Sequence, residues 1–398
     1  MLRRLIVAAL FIIISDTLSA QGDEVSIVNA DTLHYEYTPL KGVTTASQRF
    51  DNFAESLATY MTEGIATQRP VNFTIIGGPG YSAETGLRLS AVGNMRYRTY
   101  GNEMLSHNLS LRIMASLRGA YGVDIDGVNY IANSRNRLKF SVAYASVPTL
   151  LYGFDYDTSA SCMAGSYTAK RGVVEVRYDR RIGEVFDIGL CADYRYDDAR
   201  NIDVRARELL GDRATLYHGA GVGIAAAVHH KHTEAINVIR GVELLLEATM
   251  RPAFMGNTTT SSWQFRGQVD WYQPLWYGGL VALDVYGEYH SQATPWQLLA
   301  RIGDDCRMRG YYPGQYNGNS LITTQLEVRQ HIWEGLVGVL WGGAGVVWSE
   351  HDSVAWRKVL PNYGAGIRWY LSLSTAIRID VGFGRGCYNF VVGMNESF

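Results

Sequence analysis

From about Val71 to Phe398 the sequence alternates between apolar and polar residues with a period of two. In the segment 377–384, apolar side chains alternate with arginine, aspartate and glycine: Ile377, Arg378, Ile379, Asp380, Val381, Gly382, Phe383 and Gly384. Residues of a β-strand point alternately to the two faces of their sheet, so the pattern predicts strands with one apolar and one polar face. It recurs in 109–117, 138–145, 173–181, 186–196, 242–250, 280–289 and 321–333. The sequence therefore predicts an all-β fold.

A water-soluble antiparallel sandwich shows the same alternation, but three features favour a transmembrane barrel. Charged residues and glycines share one face, aromatic residues gather near segment ends, and the last strand is aromatic-rich, with Tyr388, Phe390 and Phe398 on one face. Backbone groups in lipid must all be paired, so the strands have to close. At about 9–11 residues per strand, 71–398 predicts an antiparallel barrel of about sixteen strands. We expect Tyr388, Phe390 and Phe398 to form the recognition signal of its last strand.

The first seventy residues differ from the rest. Arg3 and Arg4 precede an apolar stretch that ends in small residues at Ser19 and Ala20, which predicts a secretory signal peptide over 1–20. We expect residues 21–70 to be a periplasmic or plug segment. One amphipathic helix is predicted within it, because apolar residues recur there at helical spacing: Phe50, Phe53, Leu57, Tyr60, Met61 and Ile65.

Composition and motifs argue against several functions. The formal net charge of -2 provides no basic surface for nucleic acid. The chain contains neither a GxSxG elbow nor an HExxH motif, so we expect no catalytic residues, no enzyme activity and no cofactor. The four cysteines form no CxxC pair. His230 and His232 share one strand face while His229 faces away, and with no inward carboxylate at useful spacing we expect no metal site.

Two stretches go beyond a generic strand pattern: Thr294-Pro295-Trp296-Gln297-Leu298-Leu299-Ala300-Arg301-Ile302-Gly303, and Met308-Arg309-Gly310-Tyr311-Tyr312-Pro313-Gly314-Gln315-Tyr316. Together they resemble the lumen-loop segment of the bacterial surface antigen barrels of the BamA/TamA superfamily. The segments 326–329, 340–348, 364–369 and 373–382 resemble the strands that follow that loop in the family. Pro79–Leu87 and Tyr152–Asp155 resemble the "YSPETG" and "YGIG" segments of its short members.

Three positions depart from the family pattern. Gly343 stands where the family has an aspartate that pairs with the loop arginine. His229–His232 replaces the end of a "YDTRD" strand. The segment 21–70 is too short for one POTRA domain, the periplasmic domain of the members that lead nascent barrels.

The resemblance and the alternation together predict a lock in the lumen. Arg309, Gly310 and Tyr311 form the tip of a loop folded into the barrel, where Arg309 pairs with Glu327 and secondly with Asp380. Arg329, Arg368 and Arg378 also face inward. An alternative is that these charges only line a wet lumen.

The resemblance implies an integral outer-membrane barrel related to protein insertion and translocation, acting as an accessory or partner-dependent component. Its partners would be outer-membrane lipid and a periplasmic or outer-membrane assembly protein. A passive or selective pore and a barrel lipid hydrolase are the alternatives.

Overall fold

The computed structural model describes residues 71–82, 85–98, 106–131, 135–161, 164–234, 237–333, 335–349, 356–372, 375–394 and 396–398. The predicted signal peptide (1–20), the predicted helical segment (21–70) and Cys162 lie outside the described residues. The three described cysteines, Cys191, Cys306 and Cys387, are free thiols.

Strands dominate the described chain. They are β1 (Val71–Ser82), β2 (Gly86–Arg98), β3 (Ser106–Ser116), β4 (Tyr121–Ile131), β5 (Asn136–Leu151), β6 (Gly165–Ile182), β7 (Phe186–Arg200), β8 (Leu216–Glu234), β9 (Asn237–Arg251), β10 (Ser262–Trp276), β11 (Gly279–His290), β12 (Ala300–Ile302), β13 (Tyr316–Gly318), β14 (Ser320–Trp333), β15 (Leu336–Trp348), β16 (Leu360–Ser372), β17 (Thr375–Gly384) and β18 (Cys387–Met394). Two short helices, α1 (Tyr156–Ser161) and α2 (Val204–Leu210), lie between strands.

Sixteen of these strands form one closed antiparallel barrel, in which each strand pairs with its neighbours along the chain and β1 pairs with β18. The short strands β12 and β13 form a separate hairpin in the β11–β14 connection. The predicted fold class and the strand number are therefore confirmed.

The two faces of the barrel differ as the alternation predicts. Leu89, Leu190, Ile224 and Leu340 are each more than 60% exposed on the outer face. A continuous apolar exterior of this kind suits hydrocarbon, because water-soluble monomers do not expose apolar surface on this scale. The inner face carries the charges, and lumen side chains such as that of Asp187 are fully buried.

The two mouths of the barrel carry different connections. The longest are those that follow β5, β7, β9, β11 and β15, and the ends of these strands all lie at one mouth, which we call the long-loop mouth. α1 and α2 lie there, and Asp203 caps α2 by accepting a hydrogen bond of 2.6 Å from the Ala206 amide. Neither described helix has the length and hydrophobicity of a transmembrane helix. We call the opposite end, where the chain finishes, the short-turn mouth.

The barrel closes at a seam between its first and last strands. Among the described residues, β1 and β18 pair only at Tyr81↔Val392. By contrast, β1 pairs with β2 along its whole length, from Val71↔Tyr97 to Ser82↔Gly86. Most of β1 therefore presents a backbone edge that β18 does not cover.

Candidate functional site

The connection 291–319 folds from the long-loop mouth back into the barrel. We call it the lumen loop. Its hairpin pairs Ala300↔Gly318 and Ile302↔Tyr316. Apolar residues of the loop pack against wall residues in one buried cluster: Ala300, Ile302, Met308, Tyr311, Tyr316, Leu321, Val347 and Leu360. This burial stabilises the loop inside the barrel.

Arg309 lies at the tip of the lumen loop and is fully buried. Its Nη1 donates to Asp380 Oδ2 at 2.7 Å, and its Nη2 donates to Glu327 Oε1. The guanidinium carbon also lies 3.7 Å from the centroid of the Trp341 ring. A buried guanidinium is stable only when it is paired, and here two carboxylates and an aromatic face surround it.

The backbone of the loop tip lies directly on β17. Gly310 has φ +131°, a conformation that favours glycine, and an added Cβ would lie 2.8 Å from Phe383 backbone atoms. A Cβ on Gly382 would lie 2.1 Å from the Arg309 carbonyl oxygen. Asn362 donates to this same carbonyl. The backbone of the loop tip can therefore lie against β17 only because Gly310 and Gly382 have no side chains at this contact.

Tyr311 continues the contact toward the long-loop mouth. Its hydroxyl donates to the Pro361 carbonyl at 2.6 Å and accepts from the Arg385 amide at 2.9 Å. The side chain is fully buried, and burial raises the pKa of Tyr311, so the neutral phenol persists. The loop tip is thus attached to β16 and to the β17–β18 turn as well as to β14.

The wall charges form one network around Arg309. Arg329 Nη2 lies 2.9 Å from Glu327 Oε2, and Arg368 Nη1 lies 2.5 Å from Asp380 Oδ1. Arg378 Nε lies 3.8 Å from Asp380 Oδ2. The structure therefore brings together all the polar residues that the sequence singles out for the lumen.

The chain end also enters this network, from the short-turn mouth. Ser397 Oγ donates to Glu327 Oε1 at 2.8 Å, the oxygen that Arg309 also contacts. Glu396 accepts from Arg368 Nε at 3.1 Å. Burial pushes the pKa of Glu396 up, but Arg329 and Arg368 outweigh burial and hold this pKa below its usual range.

The aromatic residues of the chain end are divided between the two faces. Tyr388 and Phe390 are exposed on the outside of β18. Phe398 lies beyond the end of β18, where its main-chain oxygen accepts from Arg329 and its ring is 6.4 Å from that of Tyr272, an inward-facing residue. The expectation that Phe398 shares the face of Tyr388 and Phe390 is wrong, because the strand ends at Met394 and the last residues turn into the lumen.

A second arginine of the loop escaped the sequence analysis. Arg307 donates to both oxygens of Asp284, with Nε–Oδ2 at 2.8 Å and Nη2–Oδ1 at 3.0 Å, and its guanidinium carbon lies 4.4 Å from the Tyr286 ring. The alternation along β11 places Asp284 and Tyr286 on one face, and this was the only feature of the sequence that could have indicated a partner site for Arg307. Arg307 itself lies in a loop, where apolar and polar residues do not alternate and its orientation could not be predicted.

The histidine segment also differs from expectation. His229 faces inward, with Nδ1 2.7 Å from Glu243 and Nε2 3.2 Å from Asp187, whereas no inward carboxylate had been expected. Within the described residues, no group of histidine, cysteine and carboxylate side chains is arranged to hold a metal ion.

The comparisons with known proteins concern the fold. The sequence matches no family model and no curated protein. The crystal structure of BamA from Haemophilus ducreyi lacking POTRA domains 1-3 is similar, with a TM-score of 0.57 and 14% identity over 82% of this chain and 70% of that chain.

Two CdiB structures are also similar. CdiB from Acinetobacter baumannii has a TM-score of 0.54 and 13% identity over 82% of this chain and 60% of that one. CdiB from Escherichia coli has a TM-score of 0.59 and 12% identity over 83% of this chain and 63% of that one. This chain thus spans less than two thirds of either CdiB chain. The resemblance found in the sequence motifs is confirmed at the level of the fold, which this barrel shares with BamA and CdiB.

Proposed function

We propose that this protein is an integral outer-membrane barrel that acts as an accessory or partner-dependent component in the insertion or translocation of other proteins. The observation that carries the proposal is the seam, where β1 and β18 pair only at Tyr81↔Val392 among the described residues. The shared fold with BamA and CdiB supports it.

The seam suits this function because an uncovered strand edge can pair with a strand of another chain. Backbone N–H and C=O groups along such an edge form a template for β-augmentation. In lipid an unpaired edge is costly, so an incoming strand gains the hydrogen bonds that β18 does not provide. The client would therefore enter the barrel wall beside β1.

The lumen network supports the side of the barrel next to the seam. Arg309 links the lumen loop to β14 and β17, and Tyr311 links it to β16 and the β17–β18 turn. Because β18 is paired with β17, the contacts of the loop would hold β17 in place while β18 and β1 separate. We assign Arg309, Glu327 and Asp380 this locking role, and Tyr388 and Phe390 the recognition surface of the last strand.

A disulfide across the seam tests the proposal. Tyr81→Cys and Val392→Cys are introduced together in a background where the four native cysteines are serine, and the protein is reconstituted into liposomes. The readout is the folding of a urea-denatured outer-membrane barrel protein into the same liposomes. We expect folding to be accelerated by the reduced protein and not by the oxidised one.

The control pair is Leu89→Cys with Ala115→Cys, which are partners in the fully paired β2–β3 ladder. Its oxidation should leave the acceleration unchanged. Equal acceleration by the oxidised and reduced seam variants would exclude opening at the seam. No acceleration by either form, with a periplasmic extract supplied as the source of partners, would overturn the assembly function.

A further inference from the structure

A cavity of about 400 Å³ lies in the lumen between the lumen loop and the wall formed by β6, β7, β9, β10 and β11. Arg309 does not line it. A water molecule takes up ~30 Å³ in the liquid, so the cavity can admit a polyatomic solute. Its size lies within the range of small-molecule sites in proteins.

The charges that line this cavity are unequal in number. Six arginines line it: Arg171, Arg195, Arg251, Arg266, Arg301 and Arg307. Three carboxylates line it, Asp197, Glu288 and Asp304, and each already has protein partners: Asp197 lies 3.4 Å from Arg171. Glu288 accepts from Gln264, Tyr286 and His290 in the wall, and Asp304 accepts from the Cys306 amide of its own turn.

The carboxylates that pair with three of these arginines lie outside the cavity lining. Arg195 pairs with Glu175 at 2.5 Å, Arg251 with Asp193 at 2.8 Å, and Arg307 with Asp284. None of these three carboxylates lines the cavity. Within the lining itself the guanidinium groups outnumber the carboxylates six to three, so an anion that enters the cavity meets more donors than competing acceptors.

One donor in this lining has no acceptor. Arg251 is only 6% exposed, its Nη1 donates to Gln264 and its Nη2 to Asp193. Its Nε has no hydrogen-bond partner among the described residues. A buried N–H of a charged group costs free energy when it is left without an acceptor, so Arg251 favours a further acceptor close to its guanidinium group.

We infer that this cavity binds a water-soluble anion carrying phosphate or carboxylate groups, held by Arg251 and Arg301 between the barrel wall and the lumen loop. Guanidinium groups bind such oxyanions through short, charge-assisted hydrogen bonds. The closed wall separates the cavity from the surrounding lipid, which favours a soluble anion over a lipid headgroup.

Isothermal titration of the full chain in non-ionic detergent with sodium pyrophosphate tests the inference. We expect saturable binding at one site that weakens as NaCl rises, because the interaction is between charges. Arg251→Gln and Arg301→Gln should each weaken it about tenfold, as expected for loss of one charged hydrogen-bond donor. Arg301 lies on the loop and outside the barrel strands, so its variant keeps the test valid if Arg251→Gln does not fold.

Arg112→Gln is the matched control, because Arg112 pairs with Asp124 and Asp126 on the lumen side but does not line the cavity. Its binding should equal that of the unmodified protein. Absence of saturable binding at millimolar pyrophosphate, or an equal loss in Arg112→Gln, would overturn the inference. Displacement of pyrophosphate by phosphatidic acid in the micelles would overturn the assignment to a soluble anion and make a lipid headgroup the ligand.

Discussion

The lumen network makes an asymmetric prediction about charge removal. Its members are four guanidinium groups, those of Arg309, Arg329, Arg368 and Arg378, and three carboxylates, those of Glu327, Asp380 and Glu396. Arg309→Gln leaves three of each. Glu327→Gln leaves four positive charges and two negative ones. We therefore expect Glu327→Gln to destabilise the network more than Arg309→Gln does.

The contacts set the magnitudes. Breaking a buried ion pair costs about 3–5 kcal/mol. After loss of Arg309, Glu327 keeps Arg329 and Asp380 keeps Arg368, so we expect a cost near the lower limit, about 3 kcal/mol. After loss of the Glu327 charge, Arg309 and Arg329 both lose a partner, so the cost should approach about 5 kcal/mol.

Trypsin cleavage of the folded barrel in detergent provides the assay, because Arg301 and Arg307 become substrates only when the lumen loop leaves the barrel. If opening and closing are fast relative to cleavage, the rate follows the population of the open form. A cost of about 3 kcal/mol then accelerates cleavage by about 100-fold in Arg309→Gln. Arg112→Gln, which removes a lumen charge outside the network, should be cleaved at the original rate. Slower cleavage of Glu327→Gln than of Arg309→Gln would refute the charge argument.

Three further outcomes follow from the same contacts. Gly382→Ala should cost about 2 kcal/mol in urea unfolding because its Cβ meets the loop backbone, whereas a Cβ on Gly342 meets nothing within 4 Å and Gly342→Ala should be neutral. The pKa of Glu396 is held low in the folded state. Its ionised carboxylate therefore stabilises the fold at pH values above its pKa in the unfolded chain, about 4.3, and this stabilisation is lost as the pH falls through its pKa in the folded protein. Unfolding midpoints between pH 7 and pH 3 should therefore fall less in Glu396→Gln. Arg307→Gln should accelerate cleavage at Arg301 less than Arg309→Gln does, because Arg307 is only partly buried. A larger effect of Arg307→Gln would reverse the assigned roles.

The barrel was predictable from sequence because strand geometry imposes a period of two wherever the two sides of a wall differ. That period gives the inward orientation of Glu327 and Asp380, and the loop motif gives their partner Arg309. The period could not identify Arg307 or Ser397, since loops and chain ends have no repeat. Nor could it orient His229, because both faces of that segment are polar and either one could have been the lumen.

The place where the predicted alternation ends is itself informative. Continued along the register Tyr81↔Val392, residues 395–398 would run beside residues 75–78 in the middle of β1. Instead Glu396 and Phe398 bind arginines in the lumen. In the folded protein the side-chain contacts of Glu396 and Phe398 are thus favoured over continued backbone pairing with β1. The spacing of apolar residues carries no information about the relative free energies of these two arrangements.

One oxygen atom, Oε1 of Glu327, accepts hydrogen bonds from groups that arrive from opposite ends of the barrel, Arg309 from one mouth and Ser397 from the other. Removing either donor changes how strongly the carboxylate holds the remaining one, and such an effect is equal in both directions. Movement of the chain end beside the seam is therefore energetically linked to movement of a loop that enters from the far side of the membrane.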